Sequence, residues 1–543
     1  MGLGDIEPFG SEIRTPTLNS LAEQGMRFSN FHSSPVCSVT RGMLLTGADN
    51  IQVGLGSFDY AVYHGAAGKA GYEGYLTRNA ATISEQLQKA GYNTYHVGKW
   101  HLGASRDGGW GPHEWGFDRT YGLYSGGNSH WNSDDMVADL SDPVAVAAMK
   151  EGKVPPRTQA DFFENGKPVK RPEGVYSDDL YTGKMIEYID EGHANGQPFF
   201  AYVAFTTAHF PIQAPAELID PEAEKRYAEL GYEGLKKERF ARMQKVGTIP
   251  ETAQFPSKST LARTWESQVA EDKKEQARIY ATFAGMIRSQ DRSIQRILDH
   301  LEKLGELDNT LIVYMTDNGP EGGDADGALA NKAWRDWAHA NFSQKLEDIG
   351  GPDSSRQIGD GWANASTGAL QWWKWFVAEG GVRVPMIMVA PQGEGQPKAG
   401  KMSAQALSVK DIPATILDFA GVAPVDGEFE GRKVVKPSGV SLRPVLNGQA
   451  ERVRGGDDWF AFELFGNKFV IDGDYKAIRV RAGMYNDSTW HLYNIVQDPG
   501  EMVPLEAEQP ERLQRMIGYY EEWAKRNNVI PVEEGWDPFS VAH

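Results

Sequence analysis

The sequence predicts an α/β fold in which a large, mostly parallel β-sheet is flanked by helices, followed by a small α+β domain with an antiparallel sheet. Apolar strand patterns alternate with amphipathic helix patterns, and polar residues follow the strands. After residue 423 the composition becomes rich in Gly, Pro and Val. Because 543 residues exceed the usual size of one core, we expect a large domain over residues 1–445 and a small one over 446–543.

The first helix and strand are predicted near the N-terminus. Thr15 followed by Pro16 is typical of a helix start, and Gly25 of a helix end. Residues 26–31 alternate apolar and polar side chains like a half-buried strand, and a helical pattern begins around Cys37. We therefore expect Cys37 at or near a helix N-terminus.

Three more helix-then-strand units follow. They are predicted at 83–90 and 93–97, at 180–189 and 198–205, and at 277–304 and 310–315, with polar clusters after the strands at 98–103, 206–211 and 317–319. Ligands bind outside the carboxyl ends of strands in such sheets, so we expect these clusters to lie together. Residues 221–274 and 321–366 break the alternation and are predicted to be insertions that shape substrate access.

The C-terminal part has the pattern of an antiparallel sheet with one helix. Short strands are predicted at 459–465, 468–471, 475–480 and 490–493, and a helix at 510–527. These elements make up the small domain.

Composition excludes several classes of function. The net charge of −19 argues against a nucleic-acid partner, and no apolar run is long enough to predict a membrane span. Cys37 is the lone cysteine, which excludes an internal disulfide. The first residues lack the pattern of a signal peptide, which predicts a cytoplasmic protein if Met1 is the native start and a periplasmic or secreted one if an upstream segment is missing. The oligomeric state is not predicted.

Each candidate functional residue also has an ordinary explanation. A lone cysteine is often core packing, an Asp-Asn-Gly segment is often a tight turn, histidines are often structural, and lysines usually lie on the surface. Taken singly, these alternatives stay open. The candidates are Cys37, Arg41, Lys99, His101, His209, Asp317, Asn318 and Lys374.

Several segments together resemble the type I, formylglycine-dependent sulfatases. Residues 37–47, Cys-Ser-Val-Thr-Arg-Gly-Met-Leu-Leu-Thr-Gly, are similar to the signature of that family, and residues 98–103 match its Gly-Lys-Trp-His-Leu-Gly segment. The segments 15–28, 208–211, 317–319, 380–385 and 492–501 appear in the family order, and within the family the resemblance is to bacterial arylsulfatases in particular. The resemblance implies the alkaline-phosphatase-like fold and a sulfuric ester hydrolase.

The resemblance also implies a mechanism. In the family a maturation enzyme oxidises the cysteine, here Cys37, to formylglycine (3-oxoalanine), and one hydroxyl of its hydrate attacks sulfur. It further implies that Arg41 and Lys99 hold the diol and the sulfate, and that His101 takes the diol proton in the elimination step. The substrate would be a small aryl or alkyl sulfate ester.

The remaining roles come from the same resemblance. His209 and Lys374 would bind the substrate, as Lys99 would, and protonate the departing oxygen. Asp317, Asn318 and the formylglycine from Cys37 would bind Ca²⁺, or another divalent cation such as Mg²⁺.

Two features differ from the family pattern. Val39 stands where the signature has proline or, less often, alanine. The family also has a first strand ending in Asp-Asp directly before the segment that matches Met1, and we expect such a strand upstream. The alternative functions are a phosphate or phosphonate ester hydrolase of the same superfold and a catalytically impaired homologue that binds anions.

Overall fold

The structure is a computed structural model that describes residues 1–58, 61–103, 109–135, 143–256, 262–323, 332–393, 399–455, 458–481, 487–533 and 536. The helices are α1 Pro16–Gln24, α2 Cys37–Thr46, α3 Ile83–Lys89, α4 Pro143–Lys150, α5 Ser177–His193, α6 Pro221–Lys245, α7 Ala270–Leu304, α8 Lys332–Asn341, α9 Gly359–Ser366, α10 Glu379–Val382, α11 Asp411–Phe419, α12 Arg443–Leu446 and α13 Pro510–Arg526.

Each of the eight predicted strands has a counterpart close to its predicted position, and the described residues form eight further strands that were not predicted. They are β1 Met26–His32, β2 Asn93–Lys99, β3 Arg119–Leu123, β4 Phe162–Glu164, β5 Lys167–Pro168, β6 Phe199–Ala204, β7 Ile312–Met315, β8 Arg383–Val389, β9 Met402–Ser403, β10 Leu407–Ser408, β11 Glu428–Phe429, β12 Arg432–Lys433, β13 Phe460–Leu464, β14 Asn467–Asp472, β15 Tyr475–Arg479 and β16 His491–Asn494.

The α/β class is confirmed, but the sheets are more mixed than predicted. One sheet has the order β10-β1-β8-β7 with β9 beside β1, and another has the order β5-β4-β3-β2-β6. Strand β2 is parallel to β3 and β6, whereas β8 is antiparallel to both β1 and β7. The reason is that β8 starts at the edge where β7 ends: Gly319 N, after β7, bonds Gly381 O, just before β8.

Helices cover the sheets and bury the core. The long helix α7 packs against α1, α5 and α6, and α6 also packs against α9. Tyr280, Phe283 and Ile287 of α7 lie in the core together with Trp362 of α9. The region 221–274, predicted as an insertion, therefore begins with a packed helix, and its role in substrate access stays a prediction, as does that of 321–366.

The C-terminal prediction is confirmed in its elements. Strands β13 to β16 form an antiparallel sheet in chain order, and α13 packs on it through Leu513, Met516 and Trp523. Phe460 and Phe469 of this sheet join a core cluster of the preceding region, so the two parts share apolar contacts. The boundary between residues 445 and 446 stays a prediction. Among the described residues, no helix is long and apolar enough to cross a membrane.

Candidate active site

The structure brings the predicted polar clusters together at the carboxyl ends of β2, β6 and β7. A cavity of about 690 Å³ lies between β6 and β7, the outer strands of the two sheets. The predicted residues that line it are Arg41, Lys99, His209, Asp317, Asn318 and Lys374. Cys37 contacts both Lys99, which lines the cavity, and His101. Every candidate from the sequence therefore belongs to one site.

Cys37 is the first residue of α2, as predicted, and its thiol is buried. Its Sγ lies 3.2 Å from Lys99 Nζ and 3.2 Å from His101 Nδ1. Burial alone would raise the pKa of the thiol, but Lys99 and His101 outweigh it and hold the pKa well below its usual value. The free N–H groups at the helix start add positive potential. These groups stabilise a negatively charged or strongly hydrogen-bonding atom at the position of Sγ.

Arg41 lies one turn further along α2 and ties the helix to the ends of two strands. Its guanidinium donates to Asp317 Oδ2 over 2.8 and 3.1 Å and to the carbonyl of Lys99 over 2.6 Å. The hydroxyl of Thr40 donates to the carbonyl of Asp317 over 2.6 Å. Burial would raise the pKa of Asp317, but the charges of Arg41 and Lys99 have the larger effect and lower this pKa below its usual value. The carboxylate is therefore ionised.

The segment 98–103 owes its position to close packing of strands. A Cβ on Gly98 would lie 2.0 Å from the carbonyl oxygen of Ala204 in β6, so a larger residue cannot fit there. His101 has a φ of 55°, and its N–H donates to Tyr124 O over 3.0 Å. This left-handed turn at the end of β2 directs Lys99 and His101 to the same sulfur atom.

His209 and Lys374 meet on the opposite side of the site. The N–H of Lys374 donates to Pro320 O over 3.0 Å, which ties its loop to the segment after β7. Lys374 Nζ lies 3.2 Å from His209 Nε2, and His209 Nδ1 lies 3.0 Å from Phe210 O. Burial and the charges of Lys374 and Lys99 hold the pKa of His209 well below its usual value, so the imidazole is neutral.

Glu321 is a residue of the site that sequence reasoning missed. Its Oε2 lies 2.5 Å from Lys374 Nζ, and both side chains are largely buried. Burial would lower the pKa of Lys374, but the negative groups around it, with Glu321 foremost, together outweigh burial and raise the pKa above the usual lysine value. The available signal was its place only three residues after Asn318, in the loop that follows β7.

The loop that carries His209 rests on buried polar groups that the sequence did not single out. His130 Nε2 lies 3.0 Å from His209 O, and Gln290 donates to Thr207 O over 3.0 Å. The Thr207 hydroxyl donates to Asp178 Oδ1 over 2.9 Å, and burial raises the pKa of Asp178 to about 7. These contacts fix the backbone from which His209 projects.

The predicted cation ligands supply only part of a metal site. Asp317 offers an ionised carboxylate, and Asn318 Oδ1 is buried without a hydrogen-bond partner among the described residues. Both are hard oxygen donors of the kind that Ca²⁺ prefers, but that ion takes about six to eight of them. The described part of the chain contains no group of three acidic, histidine or cysteine residues suited to a metal. These residues do not make a complete calcium site, and the upstream aspartate pair stays a prediction.

Comparison with known protein sequences shows the family of the chain. The sequence model of the sulfatase family matches residues 1–422. An uncharacterized sulfatase of Schizosaccharomyces pombe is 34% identical over 98% of this chain and 92% of its own length. The arylsulfatase of Klebsiella aerogenes is 33% identical over 82% of this chain and 89% of its own length.

Structural comparison supports the fold. The crystal structure of Ps i-CgsB with k-i-k-neocarrahexaose is similar with a TM-score of 0.63 at 23% identity, covering 97% of this chain and 91% of that one. The predicted alkaline-phosphatase-like sulfatase fold, the family and the enzyme class are confirmed. The roles of the individual site residues stay predictions. The chain belongs to the sulfatase family, whose members hydrolyse sulfate esters.

Proposed function

We propose that this chain cleaves small aryl or alkyl sulfate esters to an alcohol and inorganic sulfate, using formylglycine made from Cys37 by a maturation enzyme. The observation that carries the proposal is the contact of the Cys37 sulfur with both Lys99 and His101 at the start of a helix. Formylglycine supplies a hydrated carbonyl whose hydroxyl oxygen can attack sulfur. An oxygen at the position of Sγ would receive the same two contacts.

The surrounding cations support an anionic substrate. The ammonium of Lys99 and the N-terminus of α2 stabilise negative charge on the sulfate oxygens, and Lys374 does so from the other side. Arg41 is occupied by Asp317 and by the carbonyl of Lys99, so its role is to hold these two residues in place. His101 is within reach of the diol. It takes the proton of the second hydroxyl in the elimination step, in which the carbonyl of formylglycine forms again and the bond to the sulfate breaks.

The opposite side supplies the proton for the departing alcohol. When the S–O bond breaks, its electron pair moves onto the ester oxygen, which then needs a proton. Lys374 and His209 are hydrogen-bonded to each other and line the cavity, so this pair is placed to donate it.

We also propose that Asp317 and Asn318 contribute two oxygen ligands to a Ca²⁺ or Mg²⁺ ion. The buried Asn318 Oδ1 supports the proposal, since an unpaired buried oxygen is costly unless it binds something. Elemental analysis of purified protein tests it: the metal content is expected to be lower in Asn318→Leu than in wild type. Metal content that is unchanged in this variant would contradict the assignment.

The function is tested with purified protein in which mass spectrometry of the Cys37 peptide has measured formylglycine. Turnover of 4-nitrophenyl sulfate is expected to exceed that of 4-nitrophenyl phosphate. A preference for phosphate would favour the phosphate or phosphonate ester hydrolase. Sulfate binding without turnover by fully converted protein would favour an anion-binding homologue.

A further inference from the structure

We propose that Glu321 is a positioning residue that fixes Lys374 so that its ammonium group, and not His209, carries the proton for the leaving oxygen. The inference rests on the proposed function, because it refines the step in which the alcohol departs. Glu321 lies outside the segments that resemble the family signatures.

The contacts of Glu321 hold Lys374 in one orientation. Glu321 Oε1 accepts from Gly323 N over 3.2 Å, so the carboxylate is anchored by backbone. Its Oε2 lies 2.5 Å from Lys374 Nζ, with 14% and 5% of the two side chains exposed. A hydrogen bond between a buried ammonium and a buried carboxylate is short and directional, so it removes most of the freedom of the lysine head group.

The hydrogen-bond pattern of His209 decides where the proton is. A carbonyl oxygen can only accept, so His209 Nδ1 must carry the hydrogen that it shares with Phe210 O. In the neutral ring Nε2 then has a lone pair, and it faces Lys374 Nζ at 3.2 Å. His209 therefore accepts from Lys374 and has no proton to give.

Lys374 has one N–H group left for the substrate. An ammonium has three donors, and Glu321 and His209 take one each. As the S–O bond breaks and its electron pair moves to the ester oxygen, the third N–H passes its proton to that oxygen and leaves a neutral amine. Water returns a proton to the amine after the alcohol has left.

The test compares Glu321→Gln with wild type on aryl and alkyl sulfates whose leaving groups differ in basicity, at equal formylglycine content. Poor leaving groups need the proton most, so kcat/KM should fall by about 10- to 100-fold for them and by much less for 4-nitrophenyl sulfate. Glu522→Gln, at an exposed position of α13, is the matched control and should leave both unchanged. An equal loss for all substrates, or none, would overturn the proposal.

A double-mutant cycle with Lys374→Ala shows whether Glu321 acts through the lysine. In that background Glu321→Gln should change kcat/KM by less than about threefold. A full effect of Glu321→Gln without the lysine would also overturn the proposal, since Glu321 would then act by another route. Thermal melting of each variant separates these outcomes from loss of folding.

A measurement without turnover separates this proposal from the proposed function. NMR of protein labelled at lysine Cε follows the titration of Lys374, assigned by its absence in Lys374→Ala. The pKa of Lys374 is expected to be lower in Glu321→Gln than in wild type, because the carboxylate no longer stabilises the ammonium. An equal pKa would contradict the role of Glu321, whereas converted wild type that cleaves no sulfate ester would contradict only the proposed function.

Discussion

The two sides of the active site are assembled in different ways. The nucleophile side (Cys37, Arg41, Lys99, His101) comes from two short segments, each fixed by the helix or strand that it begins or follows. The leaving-group side (His209, Glu321, Lys374) comes from three loops and is held by contacts between its own side chains.

This difference predicts different responses to mutation. On the nucleophile side the backbone places Cys37, Lys99 and His101, so the loss of one of these side chains leaves the others in position, whereas Arg41 supports that backbone. On the leaving-group side each side chain orients the next, so the effects of substitutions should be coupled. The following predictions test this contrast, beginning with the largest effect.

The largest effect is expected for Cys37→Ala. It removes the only atom that can become the nucleophile, so kcat for 4-nitrophenyl sulfate should fall by at least about 10⁴-fold. Lys99, His209 and Lys374 remain, so calorimetry should still detect binding of inorganic sulfate. If Cys37→Ala kept some turnover, and if this turnover were lost on removing Lys374, the leaving-group side would be able to catalyse the reaction without the nucleophile, which would contradict the proposal.

Single and double substitutions on the leaving-group side should be strongly non-additive. Lys374→Ala, which removes the proton donor, and His209→Ala, which removes an acceptor that orients this donor, should each lower kcat/KM by about 10²- to 10³-fold. The double variant should lose little more than the worse single one. A loss equal to the product of the two would show that the residues act independently, and the contrast between the two sides would fail.

Arg41→Lys tests the backbone support of the nucleophile side. A lysine keeps the charge but cannot donate to both Asp317 and the carbonyl of Lys99 with the same geometry. We expect kcat/KM to fall by about 10- to 100-fold and the melting temperature to drop. Arg14→Lys, at a largely exposed position, is the control and should change neither quantity.

Asp178→Asn should affect stability more than activity. Burial raises the pKa of Asp178 from 3.8 to about 7, so the folded protein disfavours its charge. Because the folded pKa exceeds the unfolded one, wild type loses stability as pH rises from about 4 to about 7. Asparagine keeps the acceptor for Thr207, so at pH 8 the variant should gain on the order of 2 kcal/mol in unfolding free energy.

The measurement for Asp178→Asn is chemical denaturation at pH 4 and pH 8. The gain should be present at pH 8 and should largely disappear at pH 4, where the carboxyl group is protonated in the folded state and roughly half protonated in the unfolded state. Asp426→Asn, at an exposed position, is the control. A gain of equal size at both pH values would show that ionisation of Asp178 is not its cause.

The same contrast explains what the sequence could predict. Cys37 at a helix start, and Lys99 and His101 after a strand, follow from local patterns, since hydrophobic periodicity and turn residues fix the backbone there. Apart from its place three residues after Asn318, Glu321 has no local feature that separates it from surface glutamates. Its burial depends on the distant loop that carries Lys374.

Long-range order also explains the difference in the sheets. The direction of β8 depends on which edge the chain reaches after α10, and periodicity contains no information about this choice. Helix α6 was not predicted, because its many charged residues obscure the helical pattern, although Tyr227 and Leu235 are buried on one face. Local patterns thus predicted individual helices and strands, whereas the pairing of the strands depends on contacts that form only in the folded chain.

The smallest effect on catalysis is expected for Val39→Pro, which tests maturation of the nucleophile side alone. Val39 lies in the first turn of α2, where the N–H groups have no acceptor within the helix, so proline can be accommodated. In a host with a formylglycine-generating enzyme, the variant should have a larger fraction of converted Cys37, measured by mass spectrometry. Since the side chain of Val39 packs in the core and not in the site, kcat per converted molecule should stay the same. Equal conversion in both proteins would show that valine is read as well as proline, and a changed kcat per converted molecule would show that α2 had shifted Cys37 relative to Lys99 and His101.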